Sequence, residues 1–161
     1  MRKLFKKKAP PAPTPEQVLK ELGCAYERLP DGSLYVPGTI DLTRRELERL
    51  PDLSEVRVGG SFQCQYNRLT TLAGAPRIIL GGFLCHMNKL TSLEGGPQFV
   101  GGDFACSYNK LETLQGAPRK IGGNFQCDRK TPSKLSKMVL SGSAASFSAC
   151  EVTLKRSKGL R

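Results

Sequence analysis

Phenylalanine returns every 21 residues through the middle of the chain, at Phe62, Phe83, Phe104 and Phe125, and cysteine follows two places later at Cys64, Cys85, Cys106 and Cys127. Asn67, Asn88 and Asn109 form a third column with the same step, and Leu69, Leu90 and Leu111 a fourth. A period this short means one small unit stacked on copies of itself, because a unit of about 20 residues cannot bury an apolar face alone. The period therefore restricts the architecture to a solenoid. It says much less about the work the solenoid does.

Each column has a physical part to play. In Ser61-Phe62-Gln63-Cys64-Gln65 apolar and polar residues alternate, the pattern of a strand with one buried face. Phe62 and Cys64 are expected to point in, and Ser61, Gln63 and Gln65 out. Successive strands would lie parallel and about 4.8 Å apart, turning each column into a ladder. Asn67 stands where the chain turns away from the sheet, and its amide can satisfy backbone groups stranded inside the turn. Leu69 and Leu72 refill the core. Gly74 and Pro76 bend the chain, and glycines at 59–60 and 101–102 lead it to the next strand. A degenerate first unit precedes the full ones: Val36, Gly38, Ile40, Leu42, Leu47 and Leu50 match Val58, Gly60, Phe62, Cys64, Leu69 and Leu72 at a spacing of 22, with Arg45 where asparagine stands later.

The spacing F-x-C-x-x-N-x-L-x-x-L resembles the L-x-L-x-x-N-x-L-x-x-L core of leucine-rich repeats. Units such as Val100-Gly101-Gly102-Asp103-Phe104-Ala105-Cys106-Ser107-Tyr108-Asn109-Lys110-Leu111 are similar to the short, cysteine-bearing leucine-rich repeats of bacteriophage and bacterial proteins. The resemblance covers residues 36–127. It implies a right-handed solenoid with a parallel sheet on its concave side and extended or 3₁₀ segments on its convex side, and it implies no chemistry.

The flanks lie outside the repeat. Residues 1–13 are Lys-rich and then Pro/Ala-rich, the composition of an unfolded arm, and the absence of an apolar stretch behind the basic start argues against a secretory signal. Thr14-Pro15-Glu16-Gln17 predicts a capped helix stopped by Gly23, and Pro30-Asp31-Gly32 a hairpin turn between Tyr26–Leu29 and Leu34–Val36. Residues 14–35 thus form a helix-hairpin cap, 36–127 the solenoid, and 128–161 a helix-strand cap with a basic tail. In that last segment Thr131-Pro132 opens the helix, and Cys150, Val152 and Leu154 alternate as in a closing strand. The fold class expected is an α/β-type repeat solenoid, mostly β, with small helical caps at both ends.

Charge is unevenly placed. The net +11 separates into +5 over residues 1–8, −1 over 9–128 and +7 over 129–161. Attraction to nucleic acid would come from the ends, through Arg2, Lys3, Lys6, Lys7, Lys8, Lys155 and Arg156, which read equally as mobile tails. No run approaches the roughly 18 apolar residues of a membrane helix. Six cysteines without an export signal read as thiols in a reducing cytoplasm, and the family resemblance implies that of a bacterium or a phage-infected bacterium.

The cysteine column invites a metal reading that geometry opposes. Zinc takes a tetrahedron and closely spaced ligand pairs, whereas a straight ladder without C-x-x-C offers neither, and its parallel side chains do not suit disulfides. Buried, reduced core thiols are expected. His86 is the one histidine, and no phosphate loop or nucleophile elbow is present, so the reading is of a non-enzyme without cofactor or metal.

The outward positions carry the functional expectation. Tyr66, Leu84, His86, Met87 and Tyr108, with Gln63 and Gln65, fall in adjacent rows of one face. Aromatic and methionine side chains among polar ones resemble the centre of a protein interface, and the bland alternative is a solvated face with scattered apolar residues. Arg68, Lys89 and Lys110 add a basic column beyond the asparagines, with Arg77 and Arg119 near the prolines. This reads as a solubilising edge or a phosphate-tracking stripe, diluted by Glu94 and Glu112. The reading reached is a protein-binding module acting through the concave face, as a monomer or low-order oligomer, with inhibition of a host protein suggested by the phage resemblance. Nucleic-acid binding through the basic ends, or a structural part of a particle, is the alternative.

Overall fold

A computed structural model describes residues 12–127. Thr14 caps helix α1 (Pro15–Glu21) through a reciprocal pair: the Gln17 N–H donates to the Thr14 hydroxyl at 3.3 Å, and the Thr14 N–H donates to the Gln17 amide oxygen at 2.8 Å. Gly23 ends the helix with φ +68°, where a side chain would be strained. About two turns of helix are too short to persist alone. It is held because Val18 and Leu19 are buried at the head of the solenoid core.

The hairpin follows as β1 (Glu27–Arg28) and β2 (Leu34–Val36), paired antiparallel across Pro30-Asp31-Gly32. Asp31 accepts the Ser33 N–H at 3.0 Å, which closes the turn. Glu16 of the helix forms an ion pair with Arg28 of the hairpin, tying the two parts of the cap together. The chain then runs through β3 (Ile40–Asp41), β4 (Val56–Val58), β5 (Phe62–Gln63), β6 (Ile78–Ile79), β7 (Phe83–Leu84), β8 (Phe99–Val100), β9 (Phe104–Ala105), β10 (Lys120–Ile121) and β11 (Phe125–Gln126).

These strands sort into two sheets. The first has the order β1-β2-β4-β6-β8-β10 and the second β11-β9-β7-β5-β3, and every pairing except β1 with β2 is parallel. The protein is a mostly-β solenoid of about four turns, in which each coil gives one strand to each sheet. The register follows the period: Ile40 pairs with Phe62, Phe62 with Phe83, Phe83 with Phe104, and Phe104 with Phe125. The degenerate first unit is a true coil, since Val36 pairs with Val58.

One sheet was expected from the columns and two are present. The additional strand, which precedes the phenylalanine strand in each coil, carries the Val58, Ile79, Val100 and Ile121 column, all buried. No 3₁₀ helix occurs among the described residues, so the segments expected to be extended or 3₁₀ are extended where they are regular at all. Between the sheets, Phe62, Phe83, Phe104 and Phe125 stack with ring centroids 5.3 to 5.7 Å apart and planes within 20° of parallel.

Two glycine columns shape the coils for different reasons. Gly74, Gly95 and Gly116 have φ of +93°, +79° and +86°, so they turn the chain where L-residues are strained. Gly60 and Gly81 do not have positive φ. A Cβ on either would lie 2.6 Å from the backbone of the glycine one coil earlier, so the corner is packed main chain on main chain. Gly38 heads this column, and a Cβ there would meet nothing.

Among the described residues no helix is long and apolar enough to cross a membrane. The expected C-terminal helix and closing strand lie outside the described residues, as do Arg2, Lys3, Lys6, Lys7, Lys8, Lys155 and Arg156.

Candidate binding surface

The surface begins with the asparagines beneath it. Asn88 accepts the Leu69 N–H at 3.0 Å and donates to the carbonyls of Cys64 at 3.0 Å and Cys85 at 3.1 Å. Asn109 repeats the arrangement with Leu90, Cys85 and Cys106. Asn67 does so with the first coil, accepting from Arg45 and Leu47 and donating to Leu42 and Cys64. Each asparagine therefore serves its own coil and the one before it. This explains Arg45, which heads the column: no repeat coil precedes it, and the Leu42 carbonyl is already satisfied by Asn67. Position 130, one period after Asn109, is lysine, so the column ends there in the sequence.

The residue at this turn stands outward on an unusual backbone, before each asparagine and before Arg45 alike. Arg44, Tyr66, Met87 and Tyr108 have φ between +55° and +58°, the left-handed region, which costs a bulky L-residue roughly 1–2 kcal/mol. Their N–H groups remain in the ladder: Arg44 donates to Gln65, Tyr66 to His86 and Met87 to Ser107, at 3.0 to 3.3 Å. The column's backbone is thus fixed by the coils, while its side chains project outward and stay exposed. Tyr66 and Met87 are each 42% exposed and Tyr108 66%. They make a ridge along the edge of the second sheet's outer face.

The other predicted site residues lie beside this ridge. Gln63 and Leu84 pair in register on β5 and β7, and all four of Gln63, Gln65, Leu84 and His86 are half-buried rather than freely exposed. The Tyr66 ring meets the His86 ring edge-on at 5.4 Å, and the Arg44 guanidinium covers Tyr66 at 4.8 Å from its centroid. Burial holds the His86 imidazole below its ordinary pKa and so favours the neutral ring. Thr43 and Gln65, neighbours in the column that continues to His86, each keep a covered side-chain oxygen without a hydrogen-bond partner. The structure therefore brings all seven predicted residues to one face, with three as the prominent ridge and four as its half-buried floor.

Across the buried asparagines runs a second exposed column of Glu46, Arg68, Lys89 and Lys110. Arg68 pairs with Glu46 at 3.6 Å. Among the described residues neither Lys89 nor Lys110 takes part in an ion pair. Arg44 is not singled out by the sequence, and its place at the head of the ridge depends on the turn geometry.

The opposite face was missed altogether. Arg57, Ile78, Phe99 and Lys120 align in register on the first sheet's outer side, with Ile78 and Leu80 exposed and Lys120 over the Phe99 ring at 5.8 Å. Arg57 is held by Asp31 at 2.5 Å. Here apolar residues stand among paired charges and no left-handed column supports them. Arg77 and Arg119 lie farther along this side, on a shallow groove of about 520 Å³ floored by the Gly74, Gly95 and Gly116 turns, and Arg77 reaches Glu55 at 4.0 Å.

Cys64, Cys85 and Cys106 are buried, and burial raises the thiol pKa of Cys64 and Cys85 far above the ordinary range. Among the described residues no group of three or more His, Cys, Asp or Glu side chains is placed to hold a metal ion. Comparison of the chain with protein-family models, with curated proteins and with solved structures finds no match.

Proposed function

We propose that this solenoid is a non-enzymatic, leucine-rich-repeat-like module that binds a protein through the outer face of its second sheet, the face expected to be concave. The observation that carries this reading is the ridge of Tyr66, Met87 and Tyr108. Asparagine or glycine would relax the left-handed backbone there, yet the chain places large, exposed side chains on it. Backbone strain retained at exposed positions is characteristic of functional surfaces, and aromatic and methionine side chains are enriched at interface centres. Buried thiols suit a reducing compartment such as a bacterial cytoplasm. Action as a phage-type modulator of a host protein extends the same reading by resemblance alone.

The test compares baits in bacterial lysate treated with nuclease. Wild-type protein should retain a partner that the combined Tyr66→Ala, Met87→Ala and Tyr108→Ala variant loses, since central anchors typically cost 2 kcal/mol or more, about thirtyfold in affinity. An Ile78→Ala, Leu80→Ala variant on the opposite face should keep it. Loss in the second variant and retention in the first would move the interface to the first sheet. A partner lost only on nuclease treatment would favour nucleic acid held by the basic ends.

A further inference from the structure

Two exposed columns border the buried asparagines, and their chemistry differs. On one side stand Tyr66, Met87 and Tyr108, and on the other Arg68, Lys89 and Lys110. Both columns climb by one coil at a time, a step of about 4.8 Å set by the parallel ladders. Three coils therefore cover about 10 Å, the length of roughly three residues of extended chain. An extended chain throws alternate side chains to opposite sides. Laid along the asparagine line, it would present one set to the apolar ridge and the other to the cations.

We infer that the partner contributes an extended, acidic segment in which apolar and acidic residues alternate, lying along the coils between the ridge and the Arg68–Lys89–Lys110 column. The inference rests on the proposed binding function and names the chemistry of its partner. Charge complementarity commits the occupant to an acidic one. Lys89 and Lys110 have no ion pair among the described residues, and only Arg68 is partly neutralised, by Glu46. Side-chain chemistry separates this occupant from single-stranded nucleic acid, which would also supply negative charge. A nucleic-acid groove offers successive aromatic faces for stacked bases. Here Met87 interrupts the two tyrosines, and Arg44 already covers the Tyr66 ring. A methionine between tyrosines suits aliphatic side chains better than a run of bases.

The columns have a polarity as well. The basic column begins with Glu46 and continues with three cations, so the positive charge lies toward the later coils. The acidic residues of the partner should therefore gather over the second to fourth coils, and Glu46 would repel one placed over the first.

Fluorescence anisotropy on the full chain tests this, with three labelled probes: a nine-residue peptide alternating leucine and glutamate, the same composition arranged as two blocks, and a nine-nucleotide oligothymidine. The alternating peptide should bind most tightly. Its affinity should fall on the order of tenfold in a Lys89→Glu, Lys110→Glu variant, and stay unchanged in an Arg119→Glu, Lys120→Glu variant with the same change in net charge. Equal binding by the block peptide, stronger binding by oligothymidine, equal loss in both charge variants, or no peptide binding at millimolar protein would each overturn the inference. The two readings fail separately. If the partner retained from lysate is lost by the ridge variant but unaffected by Lys89→Glu, Lys110→Glu, the binding face stands and its acidic occupant is wrong.

Discussion

At the scale of single residues, the asparagines show why one polar side chain is worth a core position. Replacing Asn88 by leucine adds apolar volume but strands the buried Leu69 N–H, while the Cys64 and Cys85 carbonyls each lose one of two amide donors and keep Asn67 and Asn109. Each unsatisfied buried group costs about 1–3 kcal/mol, more than the gain from the added carbons. Asn88→Leu should therefore lower the denaturation midpoint clearly. Arg45→Asn should leave it unchanged, because Asn67 already serves that coil. Equal effects at the two sites would show that the column does not act across coils. The cysteines beside them follow the same geometry. Cys64 and Cys85, fully enclosed and with their thiolates suppressed, should label far more slowly with a thiol reagent in native protein than half-buried Cys24. Mass spectrometry of a timed labelling series reads the order directly, and rapid labelling of Cys85 would contradict the buried ladder.

At the scale of the element, the sequence was legible where a column had a distinctive residue. Phenylalanine, cysteine and asparagine at a 21-residue step predicted the second sheet and its register, and Thr14 with Gln17 predicted the helix start. The first sheet was legible only at its hairpin, because its inward column mixes Val58, Ile79, Val100 and Ile121 and its outward column mixes Arg57, Ile78, Phe99 and Lys120, so no single residue type marks the strand. The left-handed ridge left no signal either, since tyrosine and methionine are the residues one would least expect at positive φ. The turn geometry alone reveals it, since it recurs at Arg44, where arginine and not asparagine follows. Glycine was read as a turn residue, which holds for Gly74 but not for Gly81, whose requirement is closeness to the previous coil. Gly81→Ala should cost about 1–3 kcal/mol by overpacking two backbones, while Gly38→Ala, in the same column with open space around it, should be neutral or stabilise by about 0.4–1 kcal/mol. Urea denaturation of the two variants checks the contrast, and a destabilised Gly38→Ala would refute it.

For the whole molecule, these columns share one direction: asparagine and corner glycine both act on the coil before them. The first coil can therefore lose both without loss of stability, and it is closed by α1 and the hairpin instead. Stability is thus written into the inner columns and carried by neighbour-to-neighbour contacts. The ridge differs from that system, standing on backbone fixed by the coils with side chains that remain exposed. The measurement that tests this separation most directly pairs thermal unfolding with partner retention for a Tyr66→Asn, Met87→Asn, Tyr108→Asn variant. Asparagine tolerates the left-handed conformation, so the account predicts a melting temperature equal to or above that of the wild type, together with lost retention of the partner. A variant that melts lower yet still retains the partner would show that the ridge holds the fold together and binds nothing.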